Sequence, residues 1–543
     1  MALPFARIGR APRVSRPRPP FPLVAAGLLV GAAVLIPVAY LLFRAFGAAD
    51  STLDMLFRAR SAAIIARSLL LVVIVTAGSV TIAVPVAFLA TRTDLPWRRF
   101  WAVAIALPLV TPSYVAAMVA VAALGPRGML QGLLDRVVGI DRLPAIYGLP
   151  GAALVLVLLC YPYVYIMVRA SLRRMDPALE EAARGLGYGQ MEALRRVVLP
   201  LLRPAIAAGA LLVALYTLSD FGAVSLLGYE TFTWAIYLQY ETTFDRTAAS
   251  ALSLVLVVAA VSILMLESFT QARGRYYRST AGTVRPHGVA RLGRWRWVAF
   301  GLVGALFAIA VVAPLSVLAY WALRGGVQPG LSFPVAAAWN SVRVAALAAA
   351  VTSVTAFPVA VLAVRFGGRL TTLLDRASHI GFALPGIVIA LALVFFGVNF
   401  VTPVYQTLAL LVFAYVVLFL PAASGAIKAS LMQLNPHVEE AARALGRSEW
   451  RVAAQVTIPM VMPGVLAGAA MVFLLTMKEL PATLILAPLG FKTLATSVWS
   501  AASEAFFARA ALPSVMLVAV AGVPAAYLLL RDAPRESNRS SQR

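Results

Sequence analysis

Apolar runs long enough to cross a bilayer recur along the whole chain, at about 22–43, 62–90, 100–124, 146–168, 201–228, 249–270, 297–323, 338–364, 377–400, 404–427, 460–489 and 506–530. A hydrocarbon core of about 30 Å needs roughly 20 apolar residues in helical form. Lipid offers the backbone no hydrogen-bond partner, so each segment must satisfy its own amides and carbonyls. The pattern predicts an all-α polytopic membrane protein of about twelve transmembrane helices. Only 13% of the 543 residues are charged and the mean hydropathy is +0.87, too few charges to clothe a water-facing surface. A soluble enzyme is thereby excluded. A basic stretch precedes the first run as it does in a signal peptide, yet the apolar part is nearer 20 residues than 10 and Arg44 follows directly, so it is read as a retained span.

The formal charge of +24 would suggest nucleic acid on a soluble protein; here it reports sidedness. An even number of spans puts both termini on one face. The tails, the alternate loops around Arg92, Arg98 and Arg99 and around Arg365, Arg369 and Arg376, and the segments 169–203, 273–296 and 428–451 together hold 33 of the 46 basic residues. That face, with both termini, is therefore expected to be cytoplasmic, and no nucleic-acid partner is expected.

The sequence is duplicated. Pro177, Glu180, Glu181, Ala182, Ala183, Arg184, Leu186, Gly187 and Pro200 recur as Pro436, Glu439, Glu440, Ala441, Ala442, Arg443, Leu445, Gly446 and Pro459, each pair 259 positions apart. Pro162 and Pro421, Ser171 and Ser430, and Pro204 and Pro463 keep that offset, while Pro85 pairs with Pro358 at 273 and Leu107-Pro108 with Leu384-Pro385 at 277. Each copy contains six spans, so the two have the same orientation: parallel repeats about an axis along the membrane normal. The expected organisation is a basic tail (1–21), a first half (22–270), a linker (271–296), a second half (297–530) and a second tail (531–543). The matched prolines read as kinks that shape a cavity, though packing alone accounts for them equally well.

The repeated loops, about 176–200 and 435–459, fall between the fourth and fifth spans of their halves on the basic face. Asp176 and Asn435 are placed to cap a short helix, proline follows at its first turn, and acids sit where the helix dipole favours them. Gly187 and Gly446 permit the turn that ends it. The pattern Glu-Ala-Ala, three residues, Gly, nine residues, aliphatic, one residue, aliphatic, Pro is met by Glu181, Ala182, Ala183, Gly187, Val197, Leu199 and Pro200 and by Glu440, Ala441, Ala442, Gly446, Val456, Ile458 and Pro459. It resembles the cytoplasmic coupling loop of permease subunits of binding-protein-dependent ABC importers. The resemblance covers essentially the whole chain and implies two fused permease halves of the type I importer kind in a bacterial inner membrane. It further implies two copies of a separate ATP-binding subunit, each receiving one loop, and an extracytoplasmic substrate-binding protein. The chain itself has no Gly-x-x-x-x-Gly-Lys-Ser/Thr loop around any of its lysines, Lys428, Lys478 and Lys492. It is expected to be a transport subunit without an ATPase site or cofactor, ATP being used by the partners.

Ionisable residues inside spans are costly and invite a functional hypothesis. Asp220 and Glu479 each lie 20 residues beyond the loop's final proline, at equivalent depth in the fifth span of each half, and Lys478 stands beside Glu479 where it can partly neutralise it. Two readings compete. The acids fix a capped helix break or an ion pair, since Gly222 and Pro481 follow; or they line the pathway and screen a cationic cargo. The strings Lys478 to Leu484 and Gly490 to Thr496 with Trp499, and in the first half Asp220 to Val224 with Tyr229, Thr231, Phe232, Thr233 and Trp234, are similar to those of ferric-iron importer permeases. This implies Fe(III) as cargo. Carboxylate and phenolate oxygens suit a hard trivalent ion, and Tyr229, Glu230, Tyr237, Tyr240, Glu241 and Asp245 gather at the outer ends of the fifth and sixth spans. An aromatic belt with a solvated acidic loop explains that gathering as well. The three histidines, His287, His379 and His437, are scattered and the single cysteine, Cys160, has no thiol partner, so no resident metal site is expected. Thiamine, polyamine, phosphonate and sulfate permeases share the loop and remain alternatives for the cargo. An ion-driven secondary transporter also uses repeats and buried acids, but has no need of two docking loops.

Overall fold

The computed structural model describes residues 19–47, 58–126, 128–139, 144–241, 246–272, 290–326 and 334–531, so the two tails and most of the linker lie outside the described residues. Among the described residues every regular element is helical, apart from one isolated bridge between Thr93 and Ala290. Among the described residues ten segments are long and apolar enough to cross a membrane, one of them, Ser113–Val137, taking in more than one helix, and shorter apolar helices, Ala249–Met265 and Gly386–Phe400, occupy the other two expected positions.

The differences from twelve unbroken spans follow from local chemistry. Proline removes a backbone donor and its ring collides with the carbonyl four residues earlier. In the middle of a long helix the neighbours absorb this, and Pro85 and Pro358 lie inside the second spans, Ala59–Arg92 and Val335–Arg365. Pro108 and Pro385 do more than kink. The third span of the first half is divided into Arg98–Ala104, a 3-10 turn Leu107–Val110 and Ser113–Leu124, and that of the second half restarts at Gly386 after a break at Leu384-Pro385. Twelve helical residues in Ser113–Leu124 rise only about 18 Å, short of a bilayer core. Such breaks are tolerated where protein, not lipid, surrounds them: Tyr114 and Val115, and Ile387 through Phe395, are all buried. Three π turns, Leu194–Val198, Ala308–Val312 and Ala453–Thr457, each end two residues before a proline, Pro200, Pro314 and Pro459. A wider turn moves the obstructed carbonyl away from the ring.

The halves are interleaved. The first span of the first half, Phe21–Gly47, packs on the second half, against Val335–Arg365, Arg369–Ser378 and Gly386–Phe400. Glycine permits this approach: a Cβ at Gly27 would lie 2.6 Å from a Leu362 methyl and one at Gly31 2.8 Å from Leu374. The Tyr40 ring stacks on Phe395 with centroids 5.9 Å apart. Reciprocally, the first span of the second half presents Phe300 and Phe307 to Trp101 of the first half, each at 5.7 Å edge to face. The end of the linker is also stitched to the first half, since the Ala290 amide donates to the Arg92 carbonyl and the Leu292 amide to Asp94 Oδ1.

Candidate functional site: two repeated loops and a pair of helix breaks

Each repeated loop folds into the same short helix. Pro177–Gly185 begins with Asp176, whose carboxylate accepts from the Ala178 amide at 3.0 Å; Pro436–Ala444 begins with Asn435, whose carbonyl accepts from the His437 amide at 3.1 Å. Gly187 and Gly446 then adopt φ of +89° and +78°. The Gly187 amide reaches the Arg184 carbonyl and the Tyr188 amide that of Ala183, while Gly446 reaches Arg443 and Arg447 reaches Ala442. These paired bonds form a Schellman motif, repeated without change. Glu181, Ala182, Glu440 and Ala441 are exposed on the two helices, Ala183 is buried against the bundle, and Ala442 is half-buried. Leu186 and Leu445, at the turned corners, are 79% and 83% exposed, and Leu179 with Val438 and Met191 with Trp450 are exposed at further matched positions. Each loop thus offers an uncovered apolar surface on a rigid, doubly capped helix. The imidazole of His437 bonds Glu440 on this surface at 2.9 Å.

Asp220 and Glu479 end the fifth-span helices Leu199–Ser219 and Ile458–Lys478, and a short helix restarts after each, Gly222–Leu226 and Pro481–Leu486. The acids cap the restart. Asp220 Oδ2 accepts from the Ala223 and Val224 amides at 2.9 and 3.3 Å, and Glu479 Oε1 accepts from Ala482 at 3.2 Å. Their own carbonyls accept from threonine hydroxyls, Thr233 at 2.5 Å and Thr483 at 2.6 Å, and the Tyr415 phenol lies 2.7 Å from Thr483. In each half the break in the fifth span touches the break in the third. A Cβ on Gly222 would stand 2.8 Å from Ser113 Oγ and from the Tyr114 amide, and a Cβ on Gly386 would collide with the Glu479 carboxylate.

Lys478 departs from expectation. Instead of neutralising its neighbour Glu479, it reaches across to the first half and donates from Nζ to the Leu109 carbonyl in the 3-10 turn, at 2.5 Å. The site is therefore one assembly contributed by both halves, in which Lys478 at the fifth-span break of the second half bonds the third-span break of the first. Beside it, Phe221 and Tyr237 of the first half meet Trp499 of the second at 6.0 and 5.7 Å between centroids, and Trp234 packs on Phe221 and Tyr237 at 5.9 and 5.7 Å.

Tyr229 and Glu241 do not join this assembly. The Tyr229 phenol donates to the Arg67 carbonyl at 3.1 Å, and Glu230 pairs with Arg60 and Arg67 at 2.9 and 3.0 Å. Glu241 is exposed at the end of Phe232–Glu241, roughly 12 Å along the axis from Thr233. Asp245 and His287 lie outside the described residues. No group of three or more His, Cys, Asp or Glu that could hold a metal ion occurs among the described residues. Sequence reasoning missed Ser113, Tyr114 and the Leu109 carbonyl, which nothing in their spacing marks. It also missed Arg92 and Arg365 as partners of the loops, although their offset of 273 repeats that of Pro85 and Pro358.

Comparison with known proteins agrees with the duplicated geometry. Residues 79–273 and again 353–531 match the family described as binding-protein-dependent transport system inner membrane component. The chain is 34% identical over 512 residues, 93% of its length and 97% of the relative's, to the Fe(3+)-transport system permease protein FbpB 2 of Haemophilus influenzae. It is 26% identical over 70% of its length, and 58% of the relative's, to the ferric transport system permease protein FbpB of Actinobacillus pleuropneumoniae. A probable molybdenum ABC transporter permease protein of Haloferax volcanii is 30% identical over 43% of the chain and 83% of its own length. With its module present twice on one interleaved helical frame, the chain belongs to the binding-protein-dependent transport system inner membrane components, the permease family of ABC importers.

Proposed function

We propose that this protein is the permease of an ATP-driven importer of ferric iron. An extracytoplasmic binding protein delivers the iron, and two separate ATPase subunits drive passage by alternating access. The observation that carries the reading is the pair of matched loops: two helices with the same caps and corners, each leaving a leucine about four-fifths exposed. Apolar surface of that kind marks an interaction site, and its occurrence once per half supports one ATPase per loop. The basic residues around the loops support a cytoplasmic position for them and for both termini. Closure of the ATPases on ATP pushes the loops, the halves rock, and the pathway opens outward; hydrolysis resets it.

The similarity over nearly the full length to an Fe(3+)-transport permease supports iron as cargo. Asp220 and Glu479 supply hard oxygen at the junction of the halves, and Tyr229 and Glu241 are read as residues of the outer approach to it. Lys478 favours a second reading, an oxyanion permease, because its ammonium faces a carbonyl and not a carboxylate. The two are separated by reconstituting the chain with its ATPase in vesicles and supplying iron-loaded binding protein, sulfate or molybdate. ATP-dependent accumulation of iron is expected, falling at least tenfold in Asp220→Asn and Glu479→Gln while the complex still assembles. Accumulation of an oxyanion alone would overturn the iron reading, and unaltered iron uptake in both variants would leave the acids with their capping role only.

A further inference from the structure

Each repeated loop is joined covalently to the fourth and fifth spans of its half, yet each is also tied to the second span by an ion pair. Arg92 is the last residue of Ala59–Arg92 and is buried; its Nη1 lies 3.4 Å from Glu180 Oε2 in the first loop helix, and its Nη2 donates to the Leu172 carbonyl near the end of the fourth span at 3.2 Å. Arg365 is the last residue of Val335–Arg365, with Nη2 2.9 Å from Glu439 Oε1 in the second loop helix. The same oxygen accepts from the Thr457 hydroxyl at 2.9 Å, and Arg443 stands 3.7 Å from Glu439 Oε2. In both copies Nε is buried without a partner, so each guanidinium meets its glutamate through a terminal nitrogen.

An arginine in the last turn of a helix is favoured by the dipole alone, which explains the residue type but not its partner. The partner is the first-turn glutamate of the loop helix, twice, in halves that otherwise differ at many positions. A half-buried guanidinium separated from its carboxylate would be left uncompensated, so the pair resists parting. Seven residues before each arginine stands the proline inside the same helix, Pro85 or Pro358, about 10 Å up the axis. Proline is where a helix bends at least cost.

We infer that Arg92–Glu180 and Arg365–Glu439 are paired latches that make the second span of each half move with its loop, the helix below Pro85 or Pro358 acting as the lever. Arg92 and Arg365 are positioning residues: they touch neither cargo nor the exposed face of the loops. The inference rests on the proposed docking of ATPases at those loops, and its loss is an uncoupling, with hydrolysis continuing while transport does not follow.

The test uses the whole chain with its ATPase and cargo supply, and measures co-purification of the ATPase together with ATP hydrolysed per cargo ion taken up. Arg92→Gln and Arg365→Gln are expected to retain the ATPase and to raise that ratio at least fivefold, more so when combined. Arg365→Lys, which keeps the charge, is expected to stay within about twofold of the natural chain. An unchanged ratio in the Gln variants would overturn the latch. So would loss of the ATPase from them, or a Lys variant no better than Gln, since either assigns the arginines a support role alone. If the unaltered chain bound no ATPase, the docking proposal itself would fail, a result distinct from these.

Discussion

At Gly187 and Gly446 the backbone turns through positive φ with open space around the missing side chain, so conformation, not crowding, demands glycine. A side chain there costs about 1–2 kcal/mol in the left-handed region, enough to reshape a corner without unfolding twelve spans. Gly187→Val with Gly446→Val is expected to leave the amount of protein in the membrane unaltered and to reduce cargo uptake at least tenfold; normal uptake would show that the corners carry no coupling. Gly222 poses the opposite problem, since a Cβ would meet the Tyr114 amide at 2.8 Å. Gly222→Ala is expected to destabilise by about 1–3 kcal/mol through overpacking, read as a lower midpoint in detergent thermal unfolding. Gly425, inside Leu408–Gln433 with nothing within 4 Å of its absent Cβ, is the control. There alanine is neutral or stabilises by up to about 1 kcal/mol.

Among elements, the loop helices were legible before any coordinates, because cap, first-turn proline and stop glycine all lie within a dozen residues of one another. The helix breaks were legible only in part. Leu107-Pro108 and Leu384-Pro385 were expected as kinks and are full interruptions, since what permits a break is burial among other helices, and that is not a local property. Asp220 and Glu479 were found at equal depth through the repeat, yet their partners were not. Gly386 lies against Glu479 from 93 positions away, and Lys478 bonds Leu109 from 369 positions away. The exposed leucines were visible in sequence but not their exposure. Leu186→Asp with Leu445→Asp is expected to change stability by less than about 0.5 kcal/mol, as exposed positions do, while weakening co-purification of the ATPase at least tenfold. Retention of the ATPase at natural yield would place its docking surface elsewhere.

At the scale of the whole molecule, duplication explains why the chain carries its features in pairs: two capped loops, two second spans with a proline inside, two broken spans in each half. The first spans cross to the opposite half and Lys478 bridges the breaks, so the halves form one body around a shared centre. The central claim is that this body is turned through its two loops at once. The most direct measurement places cysteine at Ala182 and, separately, at Ala441, both exposed, in a chain whose native Cys160 is buried, and couples them to the ATPase in the purified complex while native mass spectrometry counts subunits. The account predicts cross-links of similar yield from both positions and two ATPase subunits on each 57.6 kDa chain. Cross-linking from one loop only, from neither, or a single ATPase per chain would contradict it.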